Sequence, residues 1–176
     1  MMLDYIKQLS DSRIVAGMHN RFNGRADWWP SGQATYGIMG PATFTNYAKQ
    51  ITGKTPGMWS ADFLFDGNAA ISYRWDMIYE AERQYNAGAL VNIMFHACNP
   101  RLDPGQFCQW DNDSNGPKSR LNDSEWNSLV INGGTLNQKW KARLDDIAQY
   151  LQYLKSKNVQ VMFRPIHEVW ISRRLN

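Results

Sequence analysis

The chain has 176 residues, enough for one domain with a real core. Its 43% hydrophobic and 20% charged content exclude a disordered chain, and 19 basic against 16 acidic residues, a net charge of +3, leave no block suited to a phosphate backbone. No run approaches the roughly 18 apolar residues of a membrane span, and Met1-Met2-Leu3-Asp4 is not a signal peptide, so neither a nucleic acid nor a membrane is expected as partner.

In chain order, a short helix is predicted from Leu3 to Leu9. Arg13-Ile-Val-Ala-Gly17 reads as a first strand, left through Met18-His19-Asn20. A long loop rich in Gly and Trp, 21–40, leads to a helix over 42–51, with Gly53 as its stop. The second strand is predicted over Pro56–Phe63 and is followed by a helix over 73–86, closed by Ala87-Gly88. Leu90–Phe95 is the third strand, and His96-Ala-Cys-Asn99-Pro100 leads out of it. The segment 101–134, rich in Asp, Asn, Ser and Gly, reads as an extended loop. A long helix over 136–155 places Leu144, Ile147, Ala148, Leu151 and Leu154 on one face at spacings of three and four. Val159–Phe163 is the fourth strand, and Arg164-Pro165-Ile-His167-Glu168 follows it.

Four alternations of strand and helix imply a parallel sheet with right-handed crossovers, an α/β fold. Loops after strands are long and carry polar and aromatic residues, whereas loops before strands are short. That asymmetry marks a (β/α) barrel with a functional upper face. A full barrel takes eight units in about 250 residues, so four units read as a half barrel, one domain over 1–176. A doubly wound dinucleotide-binding sheet is the competing architecture. No Gly-x-Gly-x-x-Gly follows the first strand, and no cofactor is expected.

Aromatic residues make up 13% of the chain: eight Trp, eight Tyr and seven Phe. Trp28, Trp29, Trp59, Trp110 and Trp126 sit in polar, loop-like sequence. A flat ring with a polar edge suits a sugar face, although most tryptophans in a globular chain anchor its core. The three histidines, His19, His96 and His167, each stand just past a predicted strand. Three histidines can ligate zinc; carbohydrate chemistry accounts better for the aromatics, and no metal set is expected. Cys98 and Cys108 are spaced so that a loop disulfide can bridge them.

Phe163-Arg-Pro-Ile-His-Glu168 resembles the strand-four motif of glycoside hydrolase family 26, the retaining β-mannanases. Val15-Ala-Gly17-Met-His19-Asn20, Ile51-Thr-Gly53-Lys-Thr-Pro56, Asp62-Phe63, Phe95-His96 and Asn99-Pro100 agree in order and spacing, over nearly the whole chain. The resemblance implies a (β/α)8 clan that hydrolyses β-1,4-mannosidic bonds with two glutamates, acting on β-mannan or a related polysaccharide, and a secreted or extracellular setting. By position Glu168 is its general acid/base, His96 and His167 line the subsite of the sugar whose bond breaks, and Trp110 is a sugar platform. Two departures follow. The sequence after Glu168 does not continue the family pattern, so 169–176 reads as a foreign tail. The family's nucleophile lies on strand seven, for which these residues hold no counterpart, so little activity is expected of this half alone. The open first and fourth strands, Ile14-Val15-Ala16 and 159–163, suggest closure by a missing second half or by a two-fold dimer. An inactive self-associating scaffold and a polysaccharide-binding module are the alternative functions.

Overall fold

The computed structural model describes residues 2–9, 13–20, 40–64, 68–108, 116 and 119–166. In order they form Met2–Leu9 (α1), Gly17–Asn20 (β1), Thr43–Thr52 (α2), Met58–Asp62 (β2), Asn68–Asn86 (α3), Leu90–Met94 (β3), Asp123–Val130 (α4), Thr135–Ser156 (α5) and Val161–Arg164 (β4). The four strands pair in parallel in the order β1-β2-β3-β4. This is the parallel half barrel expected from the alternation of elements.

Strand side chains alternate between two faces. On one face Trp59, Ala61 and Phe63 from β2 and its exit join Val91, Ile93 and Phe95 from β3 and its exit. They pack against Met77, Ile78 and Ala81 of α3 and Ile147, Tyr150 and Leu154 of α5. That buried layer is the core. The opposite face carries Ser60, Asp62, Asn92 and Met94, and so bears the polar chemistry.

Helix ends fall where local backbone chemistry dictates. Gly53 adopts φ 70° after α2 and its N–H bonds Lys49 O at 2.8 Å, confirming the predicted stop. After α3, Gly88 (φ 92°) donates to Tyr85 O and Ala89 donates to Gln84 O, a Schellman closure. Asn158 (φ 57°) does the same after α5, with its N–H on Lys155 O and that of Val159 on Leu154 O.

That last closure corrects β4. Val159 was expected to open the strand, but it is buried as the apolar contact of the helix stop, and pairing begins at Val161. The first strand is displaced further. The Ile14-Val15-Ala16 run lies before β1, and Ile14 is 96% exposed. Pairing starts at Gly17, where an added Cβ would come within 3.3 Å of the Met58 Cβ. Apolarity alone misplaced the strand; close approach to β2 sets its position. Consequently His19 lies within β1, not beyond it, and the open edge on that side is Gly17–Asn20.

Two helices also differ. α3 begins at Asn68, ahead of the predicted 73, and α4 occupies part of the segment read as loop. α4 is held by a capping box: Asn122 Oδ1 accepts from Glu125 N (2.9 Å), and Glu125 Oε2 accepts from Asn122 N (2.8 Å). On α5 the fully buried set is Arg143, Ile147, Tyr150 and Leu154, while Leu144, Ala148 and Leu151 are half-buried. The inward stripe is turned because Tyr150 packs on Phe63, centroids 5.5 Å apart, and Arg143 reaches the Leu102 carbonyl.

Asn20 ties β1 to α2. Ala42, the N-cap residue of α2, offers no side-chain bond. Instead the buried Asn20 supplies one from the strand: its Oδ1 accepts from Phe44 N and Thr45 N, both at 3.1 Å, and its Nδ2 donates to Thr45 Oγ1 at 2.8 Å.

Candidate active site at the strand carboxyl ends

The polar face of the sheet has its chemistry in rows set by register. His19 pairs with Ser60, Ser60 with Asn92, and Asn92 with Met162. Along this row His19 Nδ1 lies 3.1 Å from Ser60 Oγ. Ser60 Oγ donates to Asn92 Oδ1 at 3.1 Å, and Asn92 Nδ2 donates to the Met162 carbonyl at 3.1 Å. One continuous chain of hydrogen bonds therefore crosses all four strands.

One pleat further towards the carboxyl ends, Asp62 stands opposite Met94, and Met94 opposite Arg164. The ladder continues past the strands, with Phe63 N on Met94 O (2.8 Å) and Phe95 N on Arg164 O (3.0 Å). His96 follows on the same face and places Nδ1 2.5 Å from Asp62 Oδ2. The contact is a close approach rather than an aligned hydrogen bond. Both groups are withdrawn from solvent, the side chain of Asp62 being 4% and that of His96 13% exposed. The other carboxylate oxygen, Oδ1, accepts from Leu64 N at 2.7 Å. Leu64 has φ 58°, a left-handed conformation uncommon for a leucine. One carboxylate thus holds both the turn after β2 and the imidazole after β3.

Of the sequence-predicted site residues, His96 lies at the carboxyl end of the sheet beside Asp62. Glu168, His167 and Trp110 lie outside the described residues, as do Trp28, Trp29 and the segment 169–176. Trp59 is not a loop aromatic: it is 1% exposed in β2, with Nε1 donating to Pro41 O at 2.9 Å. Trp126 is exposed on α4. Asp103, an acid in the segment after β3, is exposed and pairs with Lys139 at 2.7 Å. Reading for catalytic acids missed the role of Asp62 as partner to His96. Ser60, Asp62 and Asn92 recur at alternate positions in otherwise apolar strands, and that period was the available signal.

The described residues after β3 are tied together by several contacts. Cys98 and Cys108 are joined by a buried disulfide, and Asn99 bonds Ser119 Oγ and Arg101 N. Arg101 grips Glu125 with two bonds, Nε–Oε1 at 2.5 Å and Nη2–Oε2 at 2.6 Å. These bonds, with the Asn122 N–H, hold the Glu125 pKa down to about 2, against a smaller opposing effect of desolvation. Arg74, 2% exposed, ties the β2 exit to the helices by donating to Phe63 O and Asp146.

Among the described residues no three His, Cys, Asp or Glu side chains gather as a metal-binding group, and no helix is long and apolar enough to cross a membrane. An open groove of about 410 Å³ runs along Leu151, Lys155 and 158–161 to Phe163. It lies towards the amino end of β4, away from the Asp62–His96 pair. In a barrel the chemistry belongs to the carboxyl ends, so the groove is a feature of the open sheet edge.

A parallel α/β half barrel with its polar residues at the strand carboxyl ends defines the class. The family model of glycosyl hydrolase family 26 matches residues 1–171, and the chain belongs to that family. It is 32% identical over 128 residues, 69% of this chain, to the mannan endo-1,4-beta-mannosidase A and B of Caldalkalibacillus mannanilyticus, covering 23% of that protein. A mannan endo-1,4-beta-mannosidase of Bacillus subtilis is 23% identical over 173 residues, 95% of this chain and 41% of its own length. The solved structure of GH26A from a Muricauda species superposes with a TM-score of 0.75 at 30% identity, over 95% of this chain and 47% of that one. A beta-mannanase from a symbiotic protist of the termite Reticulitermes speratus, at 18% identity and a TM-score of 0.70, shares the fold, over 95% of this chain and 48% of its own. The chain spans less than half the length of these relatives.

Proposed function

We propose that the chain carries the amino-terminal half of a retaining endo-β-1,4-mannanase site. In this reading Glu168 is the general acid/base, His96 and His167 line the subsite of the sugar whose bond breaks, and Trp110 stacks on a neighbouring sugar. The observation that carries it is the Asp62–His96 pair at the strand carboxyl ends, in a chain matched by the family model through residue 171. A retaining reaction needs two carboxyl groups about 5–5.5 Å apart, one giving and taking the proton and the other forming the glycosyl intermediate. Asp62 is committed to His96 and to the turn at Leu64, which disfavours it as that second group. The nucleophile then belongs to a strand beyond these four, and this half alone turns over little or no mannan.

The test has two parts. Mannohexaose at millimolar concentration should quench tryptophan fluorescence, and no response opposes the carbohydrate reading. Reducing-end release from mannan should be absent or marginal for the chain by itself. Substantial release abolished by Glu168→Gln would reveal a second carboxylate within these residues and overturn the assignment of a missing nucleophile. The Cys98–Cys108 bridge supports an oxidising, extracellular setting.

A second reading concerns assembly. The groove along β4 and α5, and the far edge of β1, favour a two-fold dimer in which β4 of each copy lies beside β1 of the other. Such a dimer restores a closed barrel without restoring the nucleophile. Light scattering that shows a stable monomer would exclude it.

A further inference from the structure

We propose that Asp62 is a positioning residue that fixes the tautomer and orientation of His96 for sugar binding. The proposal rests on the reading of His96 as a subsite residue and adds what holds it there. A neutral imidazole carries its proton on one ring nitrogen, and the partner of one nitrogen decides what the other can do. Asp62 Oδ2 lies 2.5 Å from His96 Nδ1, and a negative carboxylate at that distance repels a lone pair on Nδ1 and so favours the tautomer with the proton there. Nε2 is then an acceptor, the atom through which the ring takes a hydrogen bond from a sugar hydroxyl.

Three features make this a built arrangement. Asp62 closes β2, and His96 follows Met94, the residue that faces Asp62 in register, so two adjacent strands deliver the pair. The carboxylate is nearly buried, so replacing its partner by water is costly. Its second oxygen is fixed on Leu64 N, and Leu64 keeps φ 58° there. Backbone held in a sparsely populated region beside a polar cluster is the kind of local strain that pre-organised sites retain. The turn prevents the carboxylate from swinging, and the carboxylate in turn fixes the ring.

Asp62→Asn gives a sharp test, because it keeps the shape and inverts one atom's role. The amide oxygen can still accept from Leu64 N, which leaves Nδ2 facing His96 Nδ1. An amide N–H donates, so Nδ1 must accept and the ring proton must move to Nε2. Long-range ¹H–¹⁵N spectra of the full chain, recorded well above the usual imidazole titration range, report this directly. The wild-type ring should show the Nδ1–H form, and Asp62→Asn should show Nε2–H. Leu64→Gly, which removes the positive-φ penalty but spares both carboxylate oxygens, should retain the wild-type tautomer.

An unchanged tautomer in Asp62→Asn overturns the proposal. Should that variant not fold, the wild-type spectrum decides, since an Nε2–H ring there is incompatible with Asp62 holding Nδ1. Mannohexaose affinity, read by titrating the His96 ring resonances with the sugar, should fall about tenfold in Asp62→Asn, the size of one hydrogen bond, and stay within about twofold in Leu64→Gly. A tautomer inverted without loss of affinity would show that Asp62 orients the ring to no purpose for sugar, and sinks the functional half of the proposal. If mannohexaose leaves the wild-type His96 resonances unmoved, the subsite reading itself fails, and the tautomer result still judges the role of Asp62.

Discussion

Replacing Asn20 by alanine should destabilise the domain through a single broken connection between β1 and α2. Asn20 Oδ1 is the acceptor for two amides in the first turn of α2, those of Phe44 and Thr45. Ala42 supplies no side-chain cap, so nothing local replaces it. The Thr45 amide is in buried surroundings and bears the full cost of an unsatisfied group, while the Phe44 amide is partly reached by water. With the bond to Thr45 Oγ1 also lost, the sum is about 3 kcal/mol. Asn20→Asp keeps the acceptor and sets a negative charge at a helix N-terminus, which is favourable. It also turns an oxygen towards the Met18 and Ser60 carbonyls that Nδ2 now faces, so the net loss is about 1–2 kcal/mol. Urea denaturation followed by far-UV circular dichroism measures both. With a slope of about 2 kcal/mol per molar, the alanine variant should lose about 1.5 M in midpoint at constant slope. A loss below about 0.5 M, or an aspartate variant weaker than the alanine one, would refute the capping argument.

Ile93→Ala in central β3, where the side chain is wholly buried, should cost about 2–5 kcal/mol in the same assay without shifting the slope. Replacing both Cys98 and Cys108 by serine should cost about 2.5–3 kcal/mol by the loop-closure argument, read as a fall in thermal midpoint. Glu125 has its pKa depressed from the ordinary 4.5 to about 2, so its contribution is present above about 4.5 and is lost as pH falls towards 2. Protection factors for the amides of 123–130, corrected for the pH dependence of intrinsic exchange, should therefore fall over that window, and Glu125→Gln should flatten the response.

The order and type of the strands were legible because each buried strand is a short apolar run followed by a turn signal. Gly53 and Gly88 were readable as stops for the same local reason. The start of β1 was not: Ile14, Val15 and Ala16 look more strand-like than Gly17-Met18-His19-Asn20. Close packing on Met58 and the reach of Asn20 to α2 select the second segment, and both are tertiary effects. α4 was hidden in a polar segment because its capping box depends on Glu125, which reads as just another loop acid. For the site, His96 was visible as a polar residue past a strand. Its partner was not, because Asp62 and His96 are separated by the whole of α3 and β3 and meet only through strand register.

The central claim is that the carboxyl ends of this sheet form a carbohydrate face. Backbone amide shifts during titration of the chain with mannohexaose test it most directly. The account predicts shifts concentrated at Asp62–Leu64, Met94–His96 and Arg164–Ile166, with the groove along Leu151, Lys155 and Val159 unmoved. Shifts confined to that groove, or none at millimolar sugar, would contradict it.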